Sequence, residues 1–191
     1  MAAAVKCSVF IAASLDGYIA RADGRIDWLD AANARVPKGE DCGYAAFMST
    51  VDALVMGRRT FELARSFPEW PYGRTRVVVL SSRMRSLPAG APGTVQLVDE
   101  SPAALVARLA AQGMKHLYVD GGVTIQRFLA DGLIDEITIT TIPVLIGSGR
   151  PLFGALKRDV RLEHLSTRAF EFGFVQSRYR VVRDVDAPAG D

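Results

Sequence analysis

The sequence predicts an α/β domain with a mostly parallel central sheet of about eight strands, helices on both faces and a C-terminal antiparallel hairpin. Three observations carry that expectation. Short apolar runs at residues 53–56, 77–80 and 117–119, and a longer one at 5–13, suit strands covered on both faces. Segments with apolar residues at helical spacing alternate with them. Two β-type runs, 161–170 and 173–182, then flank a tight turn. The chain has 191 residues, enough for one domain with a sizeable core. It carries no internal repeat, low-complexity stretch or linker, so residues 1–183 are read as one domain and 184–191 as a frayed tail.

Each element has a local reason. Asp16-Gly17 supplies turn chemistry after the first strand. Residues 26–40 are irregular, with Pro37 and Gly39, and read as a loop that can hold one helical turn. Tyr44, Phe47, Met48 and Val51 recur at helical spacing, which predicts a helix over 41–50 with Asp41 near its start. The strand at 53–56 runs into Gly57, and a helix over 60–66 follows with Thr60 as its cap. Ser81-Ser82 follow the strand at 77–80, and a further strand is expected at 94–98. Ser101-Pro102 is a cap followed by proline at the first helical position, and Gly113 ends that helix. After the strand at 117–119, Gly121-Gly122 turns the chain into a helix over 124–130. Residues 137–142 alternate with period two, and 144–153 read as a glycine-rich loop.

Composition narrows the function. Hydrophobic residues make up 49% and charged residues 23%, as in an ordinary soluble domain. The net charge of +2 gives no electrostatic case for nucleic acid as a partner. Two cysteines and two histidines build neither a disulfide framework nor a zinc cluster, so a cytoplasmic setting is expected. No apolar run approaches the ~20 residues of a membrane span, and the N-terminal run is interrupted by Lys6, unlike a signal peptide.

The chemistry-bearing motifs lie at strand ends. Gly57-Arg58-Arg59-Thr60 and Gly121-Gly122-Val123-Thr124 each follow a strand and open a helix, and Ser81-Ser82-Arg83 follows another strand. In open α/β sheets, ligands bind outside the carboxyl ends of the strands. Unpaired N–H groups at a helix start attract phosphate, and glycine lets the backbone approach it closely. Two such starts can hold the two phosphates of a dinucleotide. Arg58, Arg59 and Arg83 suit a 2′-phosphate, and therefore NADP rather than NAD. The blander alternative is a solvated arginine rim beside ordinary turn glycines. The usual dinucleotide fingerprint is missing: Gly147-Ser148-Gly149 is followed by Pro151 and opens no helix, which argues against a standard Rossmann domain.

Four segments, in order, resemble the dihydrofolate reductase superfamily: residues 14–20 (SLDGYIA), 55–62 (VMGRRTFE), 79–82 (VLSS) and 119–122 (VDGG). The stretch 142–153 (IPVLIGSGRPLF), with Gly173-Phe174-Val175 and Tyr179, resembles more closely the C-terminal reductase domain of the bifunctional riboflavin-biosynthesis deaminase/reductase. The resemblance spans nearly the whole chain. It implies NADPH binding and hydride transfer to a small heterocyclic or sugar-linked substrate. Gly57 to Thr60 and Gly121 to Thr124 would meet the pyrophosphate. Arg58, Arg59, Ser81, Ser82 and Arg83 would lie near the 2′-phosphate, and Ala12, Ala13, Gly17 and Ile19 would border the nicotinamide.

The substrate side is open to several readings. Asp41 stands where the resemblance places the proton-donating carboxylate of dihydrofolate reductases, but it also suits a helix start. Tyr44 and Phe47 are wall or core residues with stacking on substrate as the alternative. In the riboflavin-type reductase the substrate is a phosphorylated ribosylaminopyrimidine. Arg150 would then be a phosphate partner, with Ile146 and Gly147 as pocket backbone, or else a surface loop arginine. The deaminase half's zinc pattern is absent. Dihydrofolate reduction and NADPH binding without turnover are the alternative functions. The alternating run at 137–142 and the final hairpin suggest an apolar β-rich edge, and hence a homodimer.

Overall fold

A computed structural model describes residues 5–183. The chain runs β1 (Lys6–Ser14), β2 (Tyr18–Ala20), α1 (Asp27–Asn33), α2 (Tyr44–Met48), β3 (Ala53–Gly57), α3 (Arg58–Arg65), β4 (Arg76–Leu80) and β5 (Val95–Val98). It continues through α4 (Pro102–Ala111), β6 (His116–Asp120), α5 (Gly122–Ala130), β7 (Glu136–Ile142), β8 (Arg150–Pro151), β9 (Leu162–Ala169) and β10 (Val175–Val181). Eight strands form one sheet in the order β5-β4-β3-β6-β1-β7-β10-β9. The first six are mutually parallel, and β10 and β9 close the sheet as an antiparallel hairpin. The fold class is the one the sequence predicts.

Strand residues sort to two faces because successive side chains alternate. Val55, Val78, Leu117, Val119 and Val9 pack with Leu105 and Leu109 of α4 and Ile125 and Phe128 of α5. Leu54, Met56, Val77, Val79 and Tyr118 face the other way, against Phe61 of α3 and the part-buried Tyr44 and Phe47 of α2. A third cluster joins Trp28 of α1 to Ile142, Phe170 and Phe174. The neighbouring strands β3 and β6 therefore send their following helices to opposite faces, which opens a crevice at their carboxyl ends.

Several local expectations change. Residues 26–40 hold a seven-residue helix, α1, anchored by the buried Trp28. The helix expected over 41–50 is only α2, because Gly43 takes a left-handed backbone (φ 84°) and starts the helix late. Thr60 is not a cap: α3 begins at Arg58 on an extended Gly57, which puts Thr60 inside the first turn. The glycine-rich loop at 144–153 contains β8, which pairs with β2 in a small second sheet. The apolar edge expected at 137–142 is also corrected. β7 is interior, paired with β1 and β10, and the edge strand on that side is β9, whose residues are nearly all exposed. The frayed tail expected at 184–191 lies outside the described residues.

Candidate active site

The sheet order sets the carboxyl ends of β4, β3, β6 and β1 side by side, bringing the Ser81, Gly57, Gly121 and Ala13 positions into one row. The β1–β6 ladder stops at Ser8↔Tyr118, whereas β1–β7 continues to Ser14↔Ile142. The upper part of β1 thus parts from β6, and the Tyr118 hydroxyl donates to the Phe10 carbonyl (2.7 Å) across that separation.

Two helix starts meet at the row. Neither α3 nor α5 has a side-chain cap or an acidic residue in its first turn. By contrast, α4 is capped by Ser101, which accepts from the Ala104 N–H. Orphan N–H groups at a helix start are donors awaiting an acceptor, and the dipole there favours an anion. The two glycines are sterically required. A Cβ on Gly57 would lie 2.9 Å from Thr124 Oγ1, and one on Gly121 (φ 88°) would collide with Thr60 Oγ1. Gly122 sits under the small sheet, where a Cβ would come within 3.0 Å of Ile19 Cδ1 and 3.1 Å of the Pro151 carbonyl oxygen. Val123 is 67% exposed although it is apolar.

The arginines differ from one another. Arg58 donates to Glu62 one turn later (2.8 Å). Arg59 and Arg83 make no side-chain ion pair among the described residues. Ser81 Oγ accepts from the Arg83 and Met84 N–H groups (3.2 and 3.1 Å), shaping the turn that carries Ser82 and Arg83.

Beside β1 lies a cavity of about 480 Å³. Phe10, Ala12, Thr140 and Ile142 come from the strands, Leu29 and Asn33 from α1, and Tyr44 from α2. Val36, Pro37, Glu40, Asp41 and Cys42 come from the connecting loop, with Ile11 and Phe174 completing the lining. Ala12 and Tyr44 therefore meet here, as does Asp41. The Asp41 carboxylate accepts from the Ala45 and Gly43 N–H groups (both 2.8 Å), and those bonds hold it below the usual carboxylate range. Of its two readings, the helix start is the one this geometry carries.

Phe47 lies elsewhere. It stacks on Phe10 (5.0 Å between centroids), meets Tyr118 edge-on and lines a neighbouring groove instead. Arg150 is also displaced from the expected role. Its guanidinium donates to the Ala22 carbonyl (3.3 Å) and lies against Gly24, so it clamps the 21–25 turn. Gly17 (φ 84°) lets the chain reverse into β2, and its carbonyl accepts from the Leu152 N–H (3.0 Å).

Two acidic residues carry roles that sequence reasoning did not assign. Asp16 accepts from Ser14 Oγ (2.6 Å), the Ile146 N–H (3.1 Å) and the Gly147 N–H (2.7 Å), tying the end of β1 to the glycine-rich loop. These bonds, Ser14 foremost, hold its carboxyl below the ordinary range. Asp120 ends β6 on the Tyr118 face; burial foremost, and the Asp120 charge second, raise the Tyr44 and Tyr72 phenols. Its carboxylate accepts from the Gly121 N–H (2.8 Å), and burial pushes it up to about 6. The local signal for Asp120 was its place beside the glycine pair; Asp16's long-range bonds left no such signal.

Comparison with known proteins settles the family. The model of the RibD C-terminal domain matches residues 6–175. The chain belongs to the RibD C-terminal domain family. An uncharacterized Bacillus subtilis (strain 168) protein, YwjB, is 36% identical over 173 residues, covering 86% of this chain and 92% of YwjB. A crystal structure from Shewanella sp. PV-4, provisionally assigned to riboflavin biosynthesis, superposes with a TM-score of 0.87 at 42% identity, covering 93% of this chain and 99% of that one. The Thermotoga maritima diaminohydroxyphosphoribosylaminopyrimidine deaminase/5-amino-6-(5-phosphoribosylamino)uracil reductase shares the fold (TM-score 0.70, 16% identity, 93% and 57% covered). This chain is thus similar to reductase domains of the RibD type.

Proposed function

We propose that this protein is an NADPH-dependent reductase that transfers hydride to a small heterocyclic substrate. One observation carries the reading: two uncapped, glycine-cradled helix starts stand at adjacent strand ends, in a chain of the RibD C-terminal domain family. The residues present fit the cofactor. The N–H groups of Arg58 to Thr60 and Gly122 to Thr124 would hold the pyrophosphate, with Gly57 and Gly121 letting the two helix starts pack side by side. Arg59, Arg83 and Ser82 would meet the 2′-phosphate, and Arg58 would join them by leaving Glu62. Ala12, Ala13, Gly17 and Ile19 would border the nicotinamide. Bound NADPH supplies the hydride.

The protein supplies orientation and a proton. The cavity beside Ala12 holds the substrate against the parted ends of β1 and β6. Asp120 is the proton source in this reading. Phe10 and Tyr44 line the cavity, and Asp120 follows Tyr118 on the sheet face against which Tyr44 packs. A carboxyl near 6 is partly protonated at neutral pH, whereas Asp41 is held ionised by its two N–H donors. For a C=N acceptor, Asp120 would give its proton to the nitrogen, and water would then reprotonate Asp120.

The test is a melting-temperature titration with NADPH and NADH. A ligand at a hundred times its Kd stabilises by about 2.7 kcal/mol. The expected result is stabilisation by NADPH, less by NADH. No shift with either cofactor would overturn the reductase reading. Stabilisation without turnover of any acceptor would favour the cofactor-binding alternative.

The reading also includes a cytoplasmic homodimer. No helix among the described residues is long and apolar enough to cross a membrane. The outermost strand β9 leaves a sheet edge that a second copy can cover. Light scattering is expected to give twice the 20.7 kDa chain mass.

A further inference from the structure

We infer that the substrate is an unphosphorylated, uncharged or cationic heterocycle, because the cavity is walled by apolar groups, neutral polar groups and carboxylates, with no lysine or arginine among the described residues that line it. This deepens the proposed function and rests on the cavity beside β1 being the acceptor site. Its lining contains the aromatic Phe10 and Tyr44, and Ile11, Ala12, Leu29, Val36, Ile142 and Phe174, which offer apolar surface. The polar lining groups are Asn33, Thr140, Cys42 and the carboxylates of Glu40 and Asp41.

The neighbouring cations are committed or lie outside the lining: Lys6 and Arg178, in the adjoining groove, both pair with Glu136. Arg150 clamps the Ala22 carbonyl. Arg168 donates to Glu40 (3.0 Å) and lies over the Phe170 ring (4.1 Å). Arg35 and Lys38 are on the same loop but exposed and not in the lining.

A phosphate dianion brought into this cavity would lose water without gaining a charge-assisted partner, and would face two carboxylates. The Asp41 carboxylate, whose partners are neutral N–H groups, repels it, whereas the Glu40 charge is offset by Arg168. A neutral or protonated ring meets the opposite conditions. It buries apolar surface against the aromatic and aliphatic wall and is favoured electrostatically when cationic. The apolar walls thereby set specificity against sugar phosphates.

Matched pairs test the inference. 5-Amino-6-(ribosylamino)uracil and its 5-phosphate, 6-hydroxymethylpterin and its phosphate, and uridine and uridine 5′-phosphate are titrated calorimetrically, with and without saturating NADPH. The expected result is binding of at least one unphosphorylated member, with at least tenfold loss in its phosphorylated partner. Equal or tighter binding of a phosphorylated member would overturn the inference, as would the absence of binding by every unphosphorylated member. Both readouts come from the acceptor ligand, so they stand apart from the NADPH titration that tests the reductase reading. As a positive arm, Asn33→Arg places a guanidinium on the exposed lining of α1 and is expected to narrow the gap within a pair at least fivefold. An unchanged gap in that variant would also count against the inference.

Discussion

Thr60 Oγ1 occupies the space that a Cβ on Gly121 would need, and Thr124 Oγ1 stands in the same relation to Gly57. The first turn of each helix thus closes over the glycine that caps the other. This reciprocal packing follows from the β3–β6 register, in which Met56 lies opposite Asp120. It binds the two helix starts into one unit at the crevice.

The two glycines are expected to respond differently to substitution. Gly57 has φ −82°, which alanine adopts freely, so only the contact with Thr124 opposes Gly57→Ala. That variant is expected to lose about 1–3 kcal/mol, with most of it recovered in Gly57→Ala/Thr124→Ala. Gly121→Ala also places a side chain at φ 88°, adding about 1–3 kcal/mol that Thr60→Ala does not restore. Urea unfolding of the two double-mutant cycles measures both. Equal recovery in the two cycles would contradict the account.

Charge at the strand ends divides between spent and free arginines. Arg59→Ala and Arg83→Ala are each expected to weaken NADPH binding about tenfold, since a hydrogen bond between charged groups contributes roughly 1.5–3 kcal/mol. NADH binding should stay nearly constant. Arg58→Ala should cost less, because Arg58 already holds Glu62. Calorimetric titration with both cofactors checks the ranking.

Asp120 is expected to affect stability and turnover in opposite senses. Its carboxyl is raised by burial from the usual carboxylate range to about 6. The folded protein therefore binds more protons than the unfolded chain between about pH 4 and 6, and stability falls as pH rises through that window. Above pH 6, Asp120→Asn should be the more stable form, by up to about 3 kcal/mol. The same variant should lose about a hundredfold or more in kcat, and the wild-type kcat should decline as pH rises above 6. A kcat profile flat from pH 5 to 8 would remove Asp120 from the proton route.

Asp16 has the opposite linkage. Its folded carboxyl lies below the unfolded value, so its contribution is full above the unfolded value and is lost as pH falls through the folded one. Asp16→Ala is expected to lower Tm at pH 7 and to leave it nearly unchanged in strong acid. It should also speed proteolytic cleavage within residues 144–149, because the Ile146 and Gly147 N–H groups lose their acceptor.

The sequence by itself determined the sheet, its succession of helices and the strand ends that carry glycine. Apolar runs such as 77–80 and caps such as Ser101-Pro102 act over a few residues, so their outcome is written locally. The tertiary structure decided which side chains are free. Arg150 and Phe47 are ordinary site candidates by residue type, yet a distant carbonyl at Ala22 and the ring of Phe10 engage them. Asp16 and Asp120 acquire their roles from partners and burial that chain order does not display. Strand 137–142 looked like an edge until β10 paired beyond it. The absence of a cation from the cavity lining belongs to the same class: it depends on how α1, its following loop and β1 converge, and no local pattern records that convergence.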